Sequence, residues 1–329
     1  MKKAENASLK NKKIVCLGGG IGTVNLLKGL RKYASDISVI VSMADEGGSA
    51  GRLRRLYDVS PAGDIVSCLS AFVEQNNKPL AEFLTYRFPG DRYSQDGELS
   101  GHKMGNLMMV AAQEITGSFE GAIELMKKLF QVSNNIFPAT VEPVFIKATT
   151  IDGVEVLGEE NIDLGKYNGS RVLDHVYIVS QNPKASGKAL AVLQEADVII
   201  AGPGDLYTTI LPVLIIPDIA NALKKIKKTK IFIVNVANKP FETKGYNVPD
   251  FLSAIQKHLD SFPFDKVIAN NNFSMPIPEP FHYTYVGLEL EKIKNQLKSV
   301  SFIEADLVNK KFPLYHDSDK LADIVVKNI

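Results

Sequence analysis

The chain has 329 residues, of which 45% are hydrophobic and 23% are charged, and its net charge of +1 comes from 38 basic and 37 acidic residues. This composition is ordinary for a globular protein. The near-zero net charge argues against a nucleic-acid-binding protein, since such proteins usually carry an excess of basic residues. No apolar run reaches the roughly 18 residues of a membrane span, and the polar start does not have the pattern of a signal peptide. Two cysteines, Cys16 and Cys68, predict neither a disulfide framework nor a zinc motif, so we expect a cytoplasmic protein.

The first elements in chain order predict a βαβ unit. Residues 1–12 are polar and predict a solvated tail. The apolar run at 14–17 predicts a buried strand, the spacing of apolar residues predicts a helix over 23–33, and 37–41 predicts a second strand. A strand, a glycine loop, a helix and another strand in this order are typical of a parallel sheet.

The rest of the chain separates into a helical middle and a strand-rich second half. Helices predicted over 64–73, 80–86, 104–115 and 119–130 indicate a helical lobe at about 62–135. Strands are then predicted at 141–149, 154–156, 197–201, 231–236 and 267–269, and helices at 184–195, 219–227 and 320–327. Because no repeat or long linker interrupts them, we expect one α/β domain over 13–329. It would be a Rossmann-like doubly wound parallel sheet with the helical lobe over a ligand crevice.

Glycine-rich loops follow three predicted strands and indicate a phosphate site. They are GGGIGT at 18–23, the stretch after Met43, and GPGDLYTT at 202–209. Loops at the carboxyl ends of parallel strands meet in one crevice, and glycines allow the backbone to approach a phosphate. The first loop is not a P-loop, because no Gly-Lys-Ser/Thr follows, and Thr23 replaces the third glycine of a dinucleotide fingerprint. Taken singly, each loop could also be a tight turn.

The stretch MADEGGSAGRLRR, at 43–55, adds charged groups to the second loop. Asp45 falls near the ribose-binding acid of dinucleotide folds, and the glycines after it could form a nest of N–H groups. Arg52 is expected to neutralise phosphate charge, whereas solvated arginines are the alternative that better fits Arg54 and Arg55. His102, in GHKMGN, is a further candidate, although a histidine before a helix is more often a structural group.

Together these segments resemble the CofD/YvcK-like family (UPF0052) over nearly the whole chain. The resemblance is carried by LGGGIGTVNLLKGL, ADEGGSAGRLR, PAGDI, LSGHKMGN, AGPGDLYTTILP, NKPFETKGY and YHDSDKLADIV. It implies two branches. One contains 2-phospho-L-lactate transferases, which move a phospholactyl group from a guanosine diphosphate donor onto a deazaflavin. The other, the YvcK branch, binds UDP-N-acetylglucosamine and is implicated in gluconeogenic growth and cell shape; GRLR, GHKMGN and GPGDLYTT look closer to it.

By position, the resemblance implies a nucleotide-diphosphate site. Its residues would be Gly19, Gly20, Gly22, Thr23, Asp45, Gly47, Gly48, Ser49, Arg52, Asp64, His102, Asn106, Gly202, Gly204, Leu206 and Tyr207. The chain departs from the family pattern at Ile21, Glu46, Ala50, Val66, Asn238-Lys239-Pro240 and Tyr315. The loss of a basic residue at Tyr315 would remove a contact to the diphosphate or sugar.

We therefore expect a regulatory protein that binds a UDP-N-acetylglucosamine-type ligand without turnover. The alternative is a CofD-type transferase, in which Asp45 and Asp64 would hold Mg²⁺. GDP and NAD are alternative ligands, since each presents a diphosphate, although the interrupted fingerprint counts against a nicotinamide dehydrogenase. The family implies a homodimer, and a regulator would have a protein partner.

Overall fold

The computed structural model describes residues 9, 11–73, 77–91, 93, 99–180, 183–279 and 282–329. Residues 1–8 and 10 of the predicted tail lie outside the described residues. Leu9 is 2% exposed and therefore buried rather than solvated.

The strands form a large sheet and two smaller ones. Their bounds are β1 Ile14–Gly18, β2 Ile37–Val41, β3 Asn135–Pro138, β4 Ile146–Thr150, β5 Glu155–Leu157, β6 Leu173–Ile178, β7 Val198–Ala201, β8 Thr229–Ile233, β9 Ala237–Asn238, β10 Lys266–Asn270, β11 Thr284–Tyr285 and β12 Ser301–Ala305. Within the described residues, seven strands make one parallel sheet in the order β12-β10-β8-β7-β1-β2-β3. The antiparallel sheets are β5-β4-β6 and β11-β9.

Helices cover both faces of the large sheet. Their bounds are α1 Gly20–Leu30, α2 Gly48–Tyr57, α3 Gly63–Phe72, α4 Lys78–Thr85, α5 Met104–Thr116, α6 Phe119–Leu129, α7 Glu159–Asp163, α8 Gly187–Glu195, a π-helix Leu206–Ile210, α9 Leu211–Leu214, α10 Pro217–Lys225, α11 Val248–Leu259, α12 Glu291–Lys294 and α13 Ser318–Lys327. Among the described residues no single helix is long and apolar enough to cross a membrane. The bent pair Leu206–Leu214 and Pro217–Lys225 meets that test together, by length and composition only.

Strand β1 shows why the central strands are continuous apolar runs. All five of its residues are buried, and successive side chains point to opposite faces. Ile14 and Cys16 pack into the core beneath α1, α3 and α13, whereas Val15 and Leu17 pack into the core beneath α9, α10 and α11. A strand covered by helices on both faces needs apolar residues at every position.

The strand order creates a crevice at the carboxyl ends of β1 and β7. From β1 the chain first adds β2 and β3 on one side, and later β7, β8, β10 and β12 on the other. Ligands of open α/β sheets bind where the order reverses in this way. The predicted α/β Rossmann-like fold is confirmed, and helices α3 to α6 lie within the residues predicted for the helical lobe.

The loops that follow β1 and β7 are in direct contact at this reversal. A Cβ atom added to Gly22 would lie 2.5 Å from the carbonyl oxygen of Pro203, so only glycine permits this approach. Thr23 fastens the contact, because its Oγ1 accepts from the Gly19 N–H at 2.9 Å and donates to the Pro203 carbonyl at 3.3 Å. Both loops are thereby held at one edge of the sheet.

Several elements differ from the sequence predictions. The strand predicted over 141–149 begins only at Ile146, and residues 206–210 form a π-helix instead of continuing the glycine loop. β3, β6, β12 and α11 were not predicted. β12 is an edge strand without a fully buried residue, so its sequence lacks a continuous apolar run. α11 carried a usable signal, the capping box formed by Asn247 and Asp250.

The packing of α1 on α13 predicts a strong effect of Gly29→Ala. A methyl group at Gly29 would overlap the carbonyl oxygen of Ser318 and lie 2.7 Å from the Cβ of Ala322. We expect a loss of about 1–3 kcal/mol in the free energy of unfolding, measured by chemical denaturation. Gly187→Ala is the matched control, because nothing lies within 4 Å of the added Cβ. Equal stability of the two variants would contradict the described α1–α13 contact.

Candidate functional site

A polar cavity of about 440 Å³ lies at the carboxyl ends of β1 and β7. The three glycine loops form its floor, and the helical lobe, α7 and the C-terminal segment form its walls. The lining residues that bear on its chemistry are Gly19, Gly20, Gly22, Asp45, Gly47, Gly48, Ser49, Gly63, Asp64, Ser67, Arg87, Tyr93, Lys103, Asn106, Glu159, Glu160, Asp163, Gly204, Asp205, Thr208, Asn235, Lys239, Tyr283, Tyr315 and His316.

Four helix N-termini meet at this cavity. Gly20, Gly48 and Gly63 begin α1, α2 and α3, and Lys103 precedes α5; all four residues line the cavity. No N-cap residue of these helices caps its own helix with its side chain. Two of the N-termini are nevertheless met by acidic side chains, since Glu160 accepts the Gly48 N–H at 3.3 Å and Asp64 accepts a hydrogen bond from the Gly20 backbone. The first N–H groups of a helix have no partner within it and carry a partial positive charge. Their convergence makes the cavity suited to an anionic ligand.

The first and third glycine loops contribute unequally. Gly19, Gly20, Gly22 and Gly204 line the cavity, whereas Thr23 is buried and holds the two loops together. The lining of the cavity does not include Gly202, Leu206 or Tyr207. Leu206 and Tyr207 are both 1% exposed, and the Tyr207 hydroxyl donates to the Leu173 carbonyl at 2.8 Å, so they support the loop from within the core.

The second loop presents its carboxylate and glycines but not its arginines. Asp45, Gly47, Gly48 and Ser49 line the cavity. Arg52 does not, and its guanidinium donates to the Ser100 carbonyl, which ties α2 to the segment before α5. Its expected phosphate contact therefore stays a prediction that its position does not support. The cationic side chains in the lining are instead Arg87, Lys103 and Lys239.

His102 is buried behind the cavity, with 2% of its surface exposed, and it contacts Ser49. Its Nδ1 lies 3.0 Å from the Ser49 hydroxyl oxygen. Burial, followed by Arg52 and Arg87, lowers the pKa of this imidazole, which favours its neutral form. His102 thus positions Ser49, while Asn106, at the third position of α5, lines the cavity itself.

Asp45 and Asp64 are two half-buried carboxyl groups that both line the cavity. Burial and then the charge of Asp64 raise the pKa of Asp45 to about 7, and burial also raises the pKa of Asp64. Lys103 opposes both shifts and reaches the Ser67 hydroxyl at 3.0 Å. Carboxylate oxygens next to a phosphate site are the ligands that Mg²⁺ prefers in proteins. The donor set at Asp45 and Asp64 therefore fits the Mg²⁺ expected from the resemblance.

The acidic side chains of α7 form one wall of the cavity, and this wall was not predicted from the sequence. Glu159, Glu160 and Asp163 line the cavity, and Glu160 accepts the Gly48 N–H at 3.3 Å. Burial and the charge of Asp45 raise the pKa of Glu159 well above its ordinary value. α7 is a five-residue helix that follows Gly158, and three of its residues are acidic. The same pattern is equally typical of a solvated surface helix. Only the packing of α7 against the second loop assigns it to the site.

Lys239 forms the centre of a second acidic group. Asp163, Asp205 and Glu242 bring carboxylate oxygens within 4.8 Å of one another, an arrangement that could hold a metal ion. The ammonium of Lys239 lies among them, bonded to Asp163, 2.6 Å from Asp205 and 3.3 Å from Glu242. Although burial alone would lower the pKa of Lys239, the three carboxylates raise it well above its ordinary value. The lysine is therefore a tethered cation where a metal could otherwise bind.

The departures from the family pattern fall both inside and outside the cavity. Val66 is fully buried in the core under α1, and Glu46 is outside the lining. The departures that line the cavity are Ile21, Ala50, Lys239 and Tyr315. Changes at these positions bear directly on what the cavity accommodates.

The chain is similar to known proteins over nearly its whole length. The family model described as "2-phospho-L-lactate transferase CofD" matches residues 14–308. A Clostridium acetobutylicum protein named "Putative gluconeogenesis factor" is 35% identical over 328 residues, which are 98% of this chain and 70% of that protein. A Lactococcus lactis protein of the same name is 32% identical over 97% of both chains. A crystal structure of a UPF0052 family member from Bacillus halodurans matches with a TM-score of 0.86 and 31% identity, over 96% of this chain and 99% of that one.

The tethered cation predicts that Lys239→Ala creates a metal site. Removing the ammonium leaves the buried Glu242 and the partly exposed Asp163 and Asp205 without their shared cation, so we expect a loss of about 1–3 kcal/mol in the free energy of unfolding. Millimolar Mn²⁺ should restore part of this loss, and calorimetry should detect one more bound ion than in the wild type. Adding Asp163→Asn to the variant should abolish the gain. An unchanged Mn²⁺ stoichiometry in Lys239→Ala would contradict the assignment.

The raised pKa of Asp45 predicts a pH-dependent effect of Asp45→Asn. Because the pKa of Asp45 is raised from 3.8 to about 7 on folding, its neutral form stabilises the fold fully below pH 3.8. That contribution is lost as the pH rises through about 7. Relative to the wild type, Asp45→Asn should therefore become more stable as the pH is raised from 6 to 8, in metal-free denaturation experiments.

A control for this experiment is Asp260→Asn, since the Asp260 side chain is 92% exposed and lies far outside the cavity lining. Its stability relative to the wild type should not change with pH over the same range. If Asp45→Asn behaves like this control, the pKa of Asp45 is not raised in the folded protein.

Proposed function

Because the chain belongs to the CofD-like family (UPF0052), whose relatives are named as gluconeogenesis factors, we propose that its cavity binds a nucleoside diphosphate sugar of the UDP-N-acetylglucosamine type. The protein would act as a cytoplasmic regulator, with roles in gluconeogenic growth and cell shape. The convergence of four helix N-termini on one cavity carries this proposal, because it creates a site for the diphosphate.

The dimensions of the cavity support a ligand of this size. A volume of about 440 Å³ falls within the range of roughly 300–1,000 Å³ typical of small-molecule sites. The first and third loops place Gly19, Gly20, Gly22 and Gly204 on the floor, where the backbone can approach a diphosphate closely. Tyr283 and Tyr315 provide an aromatic wall, which suits a nucleobase.

The charges of the lining indicate that the diphosphate binds with a divalent cation. The acidic residues of the lining are Asp45, Asp64, Glu159, Glu160, Asp163 and Asp205, whereas its basic residues are Arg87, Lys103 and Lys239. A bare diphosphate would be repelled by this acidic excess. Mg²⁺ held by Asp45 and Asp64 would supply the charge that neutralises both the carboxylates and the phosphates.

A CofD-type transferase is the second candidate function, and the two carboxyl groups of Asp45 and Asp64 in the cavity lining favour it. Mg²⁺ at such a pair would polarise the phosphates of a guanosine diphosphate donor. In this function the chain's own residues would orient the donor: the helix N-termini hold its phosphates, and Lys103, bonded to Ser67, faces the developing charge. Turnover separates this candidate from the regulator.

The proposal predicts Mg²⁺-dependent binding of the sugar nucleotide. In calorimetry, UDP-N-acetylglucosamine should bind saturably to the wild type, and more tightly with millimolar Mg²⁺ than with EDTA. Asp64→Asn should remove the Mg²⁺ effect, since it removes one of the two carboxylates, while leaving thermal unfolding cooperative. GDP and NAD serve as competing ligands.

Two outcomes would overturn the proposal that this protein is a sugar-nucleotide-binding regulator. A preference for GDP, together with transfer of a phospholactyl group from a guanosine diphosphate donor, would establish the transferase. Absence of binding of any of the three nucleotides, with and without Mg²⁺, would overturn nucleotide binding altogether.

A further inference from the structure

We propose that Asn235 donates a hydrogen bond from its side-chain NH₂ group to the diphosphate of the bound nucleotide. This inference rests on the proposed function and deepens it, because it assigns a phosphate-binding side chain outside the three glycine loops. Asn235 follows β8 and lines the cavity together with Gly204 of the third glycine loop. Its amide would supply a hydrogen-bond donor that this glycine itself cannot offer.

The orientation of the Asn235 amide follows from its contact with Gly204. The backbone N–H of Gly204 donates to Asn235 Oδ1 at 3.0 Å. A backbone N–H can only donate, so the oxygen end of the amide must face Gly204, since a rotated amide would set two donors against each other. The NH₂ end of the amide is therefore directed away from the Gly204 nitrogen.

The NH₂ group of Asn235 is accessible and has no acceptor within the described part of the chain. No described residue accepts a hydrogen bond from Nδ2. Asn235 is partly exposed, and its Nδ2 is not one of the fully enclosed side-chain atoms that lack a partner among the described residues. Because Asn235 lines the cavity, its exposed surface opens to the ligand. An NH₂ group with two hydrogens can donate there to an oxygen of a bound molecule.

The contact with Gly204 also places the Asn235 amide beside the start of α1. The Gly204 nitrogen would lie 3.1 Å from a Cβ atom added to Gly22, in the first turn of that helix. The amide oxygen of Asn235 lies 3.0 Å from the same nitrogen. The start of α1 is part of the floor on which the proposed diphosphate lies, because a helix N-terminus favours an anion. The amide is thus close to the phosphates rather than to a more distant part of the ligand.

Other donors at this end of the cavity already have partners. The Gly204 N–H is taken by Asn235, the Gly20 backbone donates to Asp64, and the Lys239 ammonium is held by three carboxylates. In exchange for one backbone donor, Asn235 presents two side-chain hydrogens to the cavity. A hydrogen bond from an amide to a charged phosphate is stronger than one between two neutral groups. The diphosphate is therefore the part of the ligand that this amide suits best.

The test separates a hydrogen bond to the diphosphate from a purely structural role at Gly204. Asn235→Asp keeps an oxygen for the Gly204 N–H but replaces the NH₂ donor by an acceptor. It should weaken the binding of UDP-N-acetylglucosamine and of UDP by the same factor, at least about tenfold, as expected for a hydrogen bond to a charged group. Asn235→Ala, which removes the donor and the oxygen, should also weaken both ligands. Affinities are measured by calorimetry with Mg²⁺, and thermal unfolding is recorded for each variant.

Ile21→Asp is the control for the added negative charge. Ile21 lines the cavity with 56% of its surface exposed, and its side chain makes no hydrogen bond, so this variant adds a carboxylate without removing a donor. It should weaken the same two ligands less than about fivefold, the effect of an exposed charge. Equal losses in Ile21→Asp and Asn235→Asp would mean that charge alone acts, and this would overturn the inference.

Two further results would contradict the inference while the proposed function stands. If Asn235→Asp binds both ligands like the wild type and only Asn235→Ala is weakened, Asn235 merely anchors Gly204. If the Asn235→Asp loss is confined to UDP-N-acetylglucosamine and spares UDP, the amide contacts the sugar and not the diphosphate. If the wild type binds neither ligand, the proposed function fails and the inference fails with it.

Discussion

The site depends on one close contact, between the loops that follow β1 and β7. Gly22 allows the Pro203 carbonyl to approach, and Thr23 bonds to both loops. This contact places the start of α1 beside the third glycine loop, at the point where the strand order reverses. A side chain larger than hydrogen at Gly22 would separate two parts of the phosphate-binding floor that are 180 residues apart in the chain.

The cavity combines two opposing electrostatic features. Helix N-termini attract an anion, whereas the carboxyl groups of Asp45, Asp64 and Glu159, which line the cavity, repel one when ionised. Burial and neighbouring carboxylates raise the pKa values of these acids, so their charged forms are disfavoured. A divalent cation bound together with a diphosphate would satisfy both features at once, and this is the physical basis of the nucleotide–metal site proposed above.

Lys239 connects this site to the body of the protein. Its ammonium contacts Asp163 of α7, Asp205 of the third loop and Glu242. The Glu242 carboxylate also accepts hydrogen bonds from the Tyr207 N–H and the Thr208 hydroxyl. One ammonium thus ties α7 to the π-helix and neutralises part of the acidic wall. Because the Lys239 ammonium lies among these carboxylates, this part of the wall needs no bound ion to balance its charge.

The α/β architecture and the glycine loops on the floor of the site could be predicted from the amino-acid sequence alone. Buried parallel strands require continuous apolar runs, and close approach of backbone to backbone requires glycine, so both leave local patterns; the resemblance to the family rested on the same segments. Polar or edge elements such as β12 and α7 leave no such pattern, because their placement depends on what packs against them. Three features of the site became visible only in the folded protein. Arg52 turns away from the cavity toward Ser100, and Val66 lies in the core. The acids of α7 and Lys239 line the same cavity. Those positions follow from contacts between residues far apart in the chain, which no local spacing encodes.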